Sequence, residues 1–142
     1  MTRSEFAVMI TNYLDLDVTE FENVTLPYDD LDKIPNWALN SFKALYKLGI
    51  VQGSNNYGYL YANPLDSITR AETATIISRT LPSGLEKETI SSSDKGDIAD
   101  WAKEGFEILI KLGAINGYED GTILPLRNVT KGEAAKILYS IL

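Results

Sequence analysis

The chain repeats itself, and no other feature limits its fold as much. Residues Asp30 to Gly53 align with Asp94 to Gly117 at an offset of 64 without a gap, and ten of the 24 positions are identical. The shared residues are Asp30/Asp94, Ile34/Ile98, Trp37/Trp101, Ala38/Ala102, Phe42/Phe106, Leu45/Leu109, Lys47/Lys111, Leu48/Leu112, Gly49/Gly113 and Gly53/Gly117. A second block, Pro64 to Leu81, aligns with Pro125 to Leu142 at an offset of 61. The three-residue difference falls in Ser54 to Asn63, in a turn region, where chains tolerate insertion. A third relative of this block opens the chain: Thr2-Arg3-Ser4-Glu5 matches Thr69-Arg70-Ala71-Glu72 and Thr130-Lys131-Gly132-Glu133. Repeats of this kind are units that bury their apolar faces against one another. The sequence therefore reads as one domain, 1–142, holding the tail of a first repeat (1–16), a second repeat (27–82) and a third (92–142). Polar, partly acidic connectors, Leu16 to Leu26 and Ser83 to Lys95, join them.

Each repeat reads as helix, turn, helix. The first helix is expected from about Pro35 to Leu48 and again from about Ala99 to Leu112. Trp37, Ala38, Phe42, Leu45 and Leu48 fall at spacings near 3.6 and predict one apolar face. Gly49 and Gly113, each followed by an apolar residue, predict a left-handed cap of the Schellman type. The second helix opens three times on Thr-x-x-Glu, the spacing of a capping box. The fold class expected is all-α, with small turns and short extended pieces near Tyr59 to Tyr61 and Ile123.

Composition narrows the function. With 44% hydrophobic and 23% charged residues the chain can bury a core. A net charge of −7 argues against nucleic acid or an anionic membrane as partner, so an anionic ligand needs local cations. There is no Cys and no His, which removes disulfides, thiol nucleophiles, His bases and the usual zinc ligands; no cofactor and no metal are expected. No apolar run approaches the roughly 18 residues of a membrane-spanning helix, so no membrane insertion is expected. The first residues lack the apolar stretch of a signal peptide, so for an exported parent the signal is expected outside this chain. The twenty acidic residues offer no recognisable pair across a cleft, and no enzyme is expected.

Candidate site residues follow from their chemistry. Arg3, Arg70 and Lys131 sit at the first position of a helix, where the dipole prefers anions. A cation there, beside helix amides, makes an anion pocket, and an arginine fork can hold a carboxylate through two hydrogen bonds; the bland alternative is an exposed or ion-paired side chain. Trp37 and Trp101 read first as core anchors and second as rings lining a sugar groove. Asp30 and Asp94 either cap the first turn or accept from sugar hydroxyls. Gly53 and Gly117 read as backbone requirements that also allow close approach of a sugar. Glu119 and Asp120 lack calcium-loop spacing and read as turn chemistry.

Taken in order, these motifs resemble the S-layer homology family. The second repeat supplies Tyr28-Asp29-Asp30, Trp37-Ala38, Leu45 to Ile50, Gly53, Pro64 and Ile68-Thr69-Arg70-Ala71-Glu72. The third supplies Asp94, Trp101-Ala102, Leu109 to Ala114, Gly117-Tyr118-Glu119-Asp120-Gly121-Thr122-Ile123-Leu124-Pro125 and Val129-Thr130-Lys131-Gly132-Glu133. It departs from the pattern with Ser54 to Gly58 in the second turn, Ser92 at the aromatic start, and Lys131-Gly132 in place of Arg-Ala. The resemblance implies tandem helix-turn-helix repeats packed as a pseudo-threefold helical bundle with loop prongs. It implies anchoring of a bacterial surface protein to the cell wall through secondary cell-wall polysaccharide, an acidic and often pyruvylated partner held in inter-repeat grooves. Arg3, Arg70, Lys131, Trp37, Trp101, Asp30, Asp94, Gly53, Gly117 and Tyr118 are then the glycan-binding candidates. The alternative is a protein-interaction or oligomerisation module that keeps the fold without binding glycan. The first repeat lacks its Trp-Ala helix, so uncovered apolar surface is expected, filled by a homo-oligomer or by a longer chain.

Overall fold

The Thr-x-x-Glu sequences at Thr2, Thr69 and Thr130 each start a helix. The structure is a computed structural model that describes residues 1–141. Leu142, the last position of the third repeat, lies outside the described residues. The helices are α1 (Arg3–Tyr13), α2 (Asn36–Lys47), α3 (Arg70–Arg79), α4 (Asp100–Lys111) and α5 (Lys131–Ser140). At Thr2 and Thr69 the capping box closes both ways: the Thr hydroxyl accepts from the Glu5 or Glu72 amide at 3.1 or 3.2 Å. The Glu carboxylate in turn accepts from the cap amide at 2.9 or 3.1 Å. Helices α2 and α4 start at Pro35 and Ala99 without a side-chain cap. They end as expected: Ile50 N donates to Leu45 O and Gly49 N to Tyr46 O, and Ala114 and Gly113 repeat the pattern on Leu109 and Ile110. Both glycines have φ of 74°, the left-handed conformation this cap requires.

Two expectations are corrected. The fold is helix-rich but not all-α, because Ser54–Asn56 (β1) and Tyr59–Tyr61 (β2) pair antiparallel. Tyr57 and Gly58 both have positive φ between them, the geometry of a tight hairpin turn that matches strand twist. The apolar stripe of α2 is Ala38, Ser41, Phe42, Ala44 and Leu45, not the set that includes Trp37. Trp37 falls one position before the stripe begins, about 100° round the helix, and stands 61% exposed; Trp101 is 56% exposed.

The chain divides into two compact units, Met1–Ser67 and Ile68–Leu142. Each is out of phase with the sequence repeats, because it joins the second helix of one repeat to the first helix and prong of the next. In the first unit α1 packs on α2, with Phe6, Ile10, Phe42 and Leu45 in the core. The hydroxyls of Thr11 and Ser41 hydrogen-bond at 3.0 Å within that contact. In the second unit α3 packs on α4 around Ile77, Phe106 and Leu109. Here Gly105 stands where α2 has Ser41, and a Cβ on it would lie 2.9 Å from Ala74 O.

The prong of each unit returns to the start of its second-type helix. Arg3 N donates to Asp66 O and Ser4 N to Pro64 O, both at 3.0 Å; Arg70 N donates to Arg127 O and Ala71 N to Pro125 O, both at 2.9 Å. These carbonyls satisfy helix-terminal amides that no intrahelical bond can reach. The return runs through a non-glycine residue at φ 49° in both prongs, Asn63 and Leu124.

Candidate functional site

The prong base is fixed by a carboxylate. Asp30 is buried, and its oxygens accept from Ala62 N and Asn63 N, each at 2.8 Å. Asp94 does the same with Ile123 N and Leu124 N, each at 2.9 Å. Partial burial pushes the Asp94 carboxyl up, but the hydrogen bonds from these two amides outweigh it and hold it below the usual carboxylate value. Neither Asp caps the short 3-10 turn that follows it. The capping alternative is corrected: each Asp staples two consecutive amides of the returning prong instead.

Arg70 meets this staple from the other side. Its Nε donates to Ile123 O at 2.8 Å, so Ile123 is held at its N–H by Asp94 and at its C=O by Arg70. The residue is buried, with 7% of it exposed. Its guanidinium carbon lies 5.0 Å from the centroid of the Tyr118 ring, within the range of a cation–π contact. Nη1 and Nη2 have no hydrogen-bond partner among the described residues. The helix amides are not available beside it, because Arg127 O and Pro125 O occupy the first two and the Thr69 hydroxyl the third. The first helix amides therefore play no part in meeting an anion at this site, which corrects the expectation of a shared cation-and-amide pocket.

The sequence did not single out Arg127. Its Nη1 donates to the Tyr118 hydroxyl and to Glu133 Oε2, both at 2.8 Å. Its guanidinium carbon lies 5.7 Å from the same Tyr118 ring. The hydrogen bond to Glu133, followed by the nearby Tyr118, pushes its pKa up. This pairing also explains why the α5 capping box is half formed, since the Glu133 carboxylate is shared with Arg127. The signal was present in the alignment, where Arg127 falls opposite Asp66.

Each of the other candidates has surroundings of its own. Arg3 sits 3.9 Å from Asp66. Lys131 is exposed at the start of α5. Trp101 lines a cleft of about 470 Å³ with Thr75, Ser78, Arg79, Lys87 and Glu104, and neither Arg70 nor Tyr118 borders it. Gly53 has φ of 92°, and a Cβ on it would lie 2.7 Å from a Tyr28 ring carbon; Gly117 has no positive φ and meets Thr122 O at 3.3 Å. The backbone requirement expected of both glycines therefore holds strongly only at Gly53. Among the described residues no group of three acidic side chains could hold a metal ion, and no helix is long and apolar enough to cross a membrane.

A family model described as S-layer homology domain matches residues 27–74 and 93–135, well over half of the chain. The chain is 34% identical to an amylopullulanase of Thermoanaerobacterium thermosulfurigenes over 147 aligned positions. It is 33% identical to the exoglucanase XynX of Acetivibrio thermocellus over the same length. Each alignment covers the whole chain but only 8% and 13% of those proteins. A surface-layer 125 kDa protein of Lysinibacillus sphaericus is 31% identical over 78% of the chain and 9% of its own length.

Proposed function

This chain belongs to the S-layer homology family, and we propose that it is a non-catalytic module that anchors a bacterial surface protein to the cell wall. The ligand in this reading is a secondary cell-wall polysaccharide bearing carboxylates, such as ketal-linked pyruvate. The family's pseudo-threefold packing and cell-surface location belong to the same reading. The observation that carries it is Arg70: a guanidinium pinned at Nε, backed by an aromatic ring, with Nη1 and Nη2 left unpartnered. A pinned fork loses little rotamer entropy on binding, and two parallel charge-assisted hydrogen bonds suit a carboxylate. The names of the relatives agree with a shared module on different cargo, since the chain aligns with only a small part of each enzyme and also with a cellulosome-anchoring protein of Acetivibrio thermocellus.

The test is co-sedimentation of the purified chain with wall sacculi before and after extraction of the non-peptidoglycan polysaccharide. Binding that disappears on extraction is the expected result. Absence of binding to either preparation would favour the interaction module instead.

A further inference from the structure

We infer that the two prong-capped helices of this chain are not equivalent sites: the Arg70 site takes the acidic group of the ligand, and Asp66 silences the Arg3 site. This rests on the reading above and adds which site works and what decides it. The backbone arrangement is the same in both units. Arg3 N donates to Asp66 O, and Arg70 N donates to Arg127 O. In each case the residue beside the arginine is the same position of the returning prong. That position carries Asp66 in the first unit and Arg127 in the second, a reversal of two charge units beneath prongs whose tips also differ, the first being three residues longer and paired as β1 and β2.

The consequences are visible in the side chains. Arg3 Nη1 lies 3.9 Å from Asp66 Oδ2, so a carboxylate of the protein already occupies its neighbourhood. An incoming anion must displace or sit beside that negative charge. Arg70 instead shares the Tyr118 ring with a second guanidinium, at 5.0 and 5.7 Å from its centroid. Arg127 uses Nη1 for Tyr118 and Glu133, and its Nε and Nη2 have no partner among the described residues. Two arginines thus present four unpaired donors around one ring, two of them on the Nε–Nη2 edge that grips a carboxylate side-on. Charges this close act well within the screening length of about 8 Å in physiological salt. Glu133 offsets part of the positive charge, and Glu119 and Asp120 lie in the same prong. Asp120, however, is turned onto Thr122, accepting from its amide at 3.0 Å and its hydroxyl at 2.6 Å. The capping acids Glu5 and Glu72 and the staples Asp30 and Asp94 are common to both units and cancel in the comparison.

The experiment titrates the full chain calorimetrically with a short oligosaccharide from the wall polysaccharide, before and after mild acid removal of its ketal-pyruvate groups. The wild-type chain is expected to bind the pyruvylated form, and Arg127→Gln to weaken that binding roughly tenfold while leaving the depyruvylated form unaffected. Asp66→Arg is expected to raise the stoichiometry by one site, and in an Arg70→Ala background to restore binding that Arg70→Ala alone weakens on the order of ten- to a hundredfold. Asp66→Asn, which removes the carboxylate with little change in shape, is expected to restore part of it, and circular dichroism checks that each variant folds. If wild type binds but Asp66→Arg and Asp66→Asn add nothing, the asymmetry is wrong and the anchoring function stands. If Arg127→Gln weakens both forms of the oligosaccharide equally, Arg127 acts through prong structure and not through charge, which also overturns the inference. If wild type binds neither form, the function and the inference fall together.

Discussion

Tyr28 is the residue whose environment is most at odds with its chemistry. Its ring is buried against Gly53 and edge-on to Tyr46, 6.0 Å between centroids, and its hydroxyl has no hydrogen-bond partner among the described residues. Burial, then Tyr46 and Asp30, pushes its pKa from 10.0 up to about 12. The sign follows directly. A folded-state pKa above the unfolded value means that the contribution is fully present below pH 10 and is lost as pH rises towards 12. Tyr28→Phe removes the unpaired hydroxyl, so it should be neutral or stabilising by up to about 1 kcal/mol at pH 7. It should also flatten the alkaline end of the stability curve, measured by urea unfolding between pH 8 and 12. The neighbouring glycine gives a sharper contrast. Gly53→Ala places a methyl 2.7 Å from Tyr28 and 3.0 Å from Tyr61 O at a φ of 92°, whereas Gly117→Ala meets only Thr122 O at 3.3 Å. The first should cost more than about 2 kcal/mol and the second under about 1, read as shifts in the urea midpoint. Arg70→Ala belongs to the same scale. It removes the donor to the buried carbonyl of Ile123 as well as the ligand's fork. The expected result is a loss of polysaccharide binding on the order of ten- to a hundredfold, together with about 1–3 kcal/mol of stability. Nothing in the local pattern announced that this arginine reaches Ile123, 53 positions away.

At the scale of elements, what could be read from the sequence was what is local. Capping boxes and Schellman ends are set by residues within a turn of one another, and they formed where Thr2, Thr69, Gly49 and Gly113 placed them. Helix pairing is long-range, and its determinant in the second unit is a missing side chain. Gly105 lies in the middle of α4, where helix propensity alone favours Ala by about 1 kcal/mol. A Cβ there would meet Ala74 O at 2.9 Å and Thr75 Cα at 3.0 Å, both backbone atoms that cannot swing aside. Gly105→Ala should therefore destabilise, by roughly 1–3 kcal/mol, despite the gain in propensity. In α2 the matching Ser41 is accommodated, and its hydroxyl bonds Thr11. A rise in melting temperature for Gly105→Ala would show that α3 and α4 can separate without loss. The exposed tryptophans teach the same lesson in reverse. Periodicity placed Trp37 on the buried face, but the stripe that meets α1 begins at Ala38, and a phase error of one residue moves a side chain from core to solvent.

For the molecule as a whole, the unit that repeats in sequence is not the unit that packs. The sequence divides the chain where the pattern restarts, near residue 92, whereas the compact units divide between Ser67 and Ile68. The physical reason lies in where each apolar face finds its cover. The stripe of α4, including Phe106 and Leu109, is covered by α3, which belongs to the preceding sequence repeat. The prong that follows α4 is clamped by Arg70 and supplies the carbonyls that cap the first amides of α3. A fragment of residues 92–142 keeps the third sequence repeat intact but loses α3, the Arg70 clamp and the cover over Phe106 and Leu109. Exposing two such side chains costs about 1.5–3 kcal/mol each, more than so short a segment can spare. A fragment of residues 68–142 keeps all of these contacts, although it begins in the middle of a sequence repeat. Thermal unfolding followed by circular dichroism should therefore show a cooperative transition for 68–142 and a shallow, non-cooperative one for 92–142. Equal cooperativity in both fragments would mean that the sequence repeat is the folding unit after all, and that the contacts between α3, α4 and the prong add little to its stability.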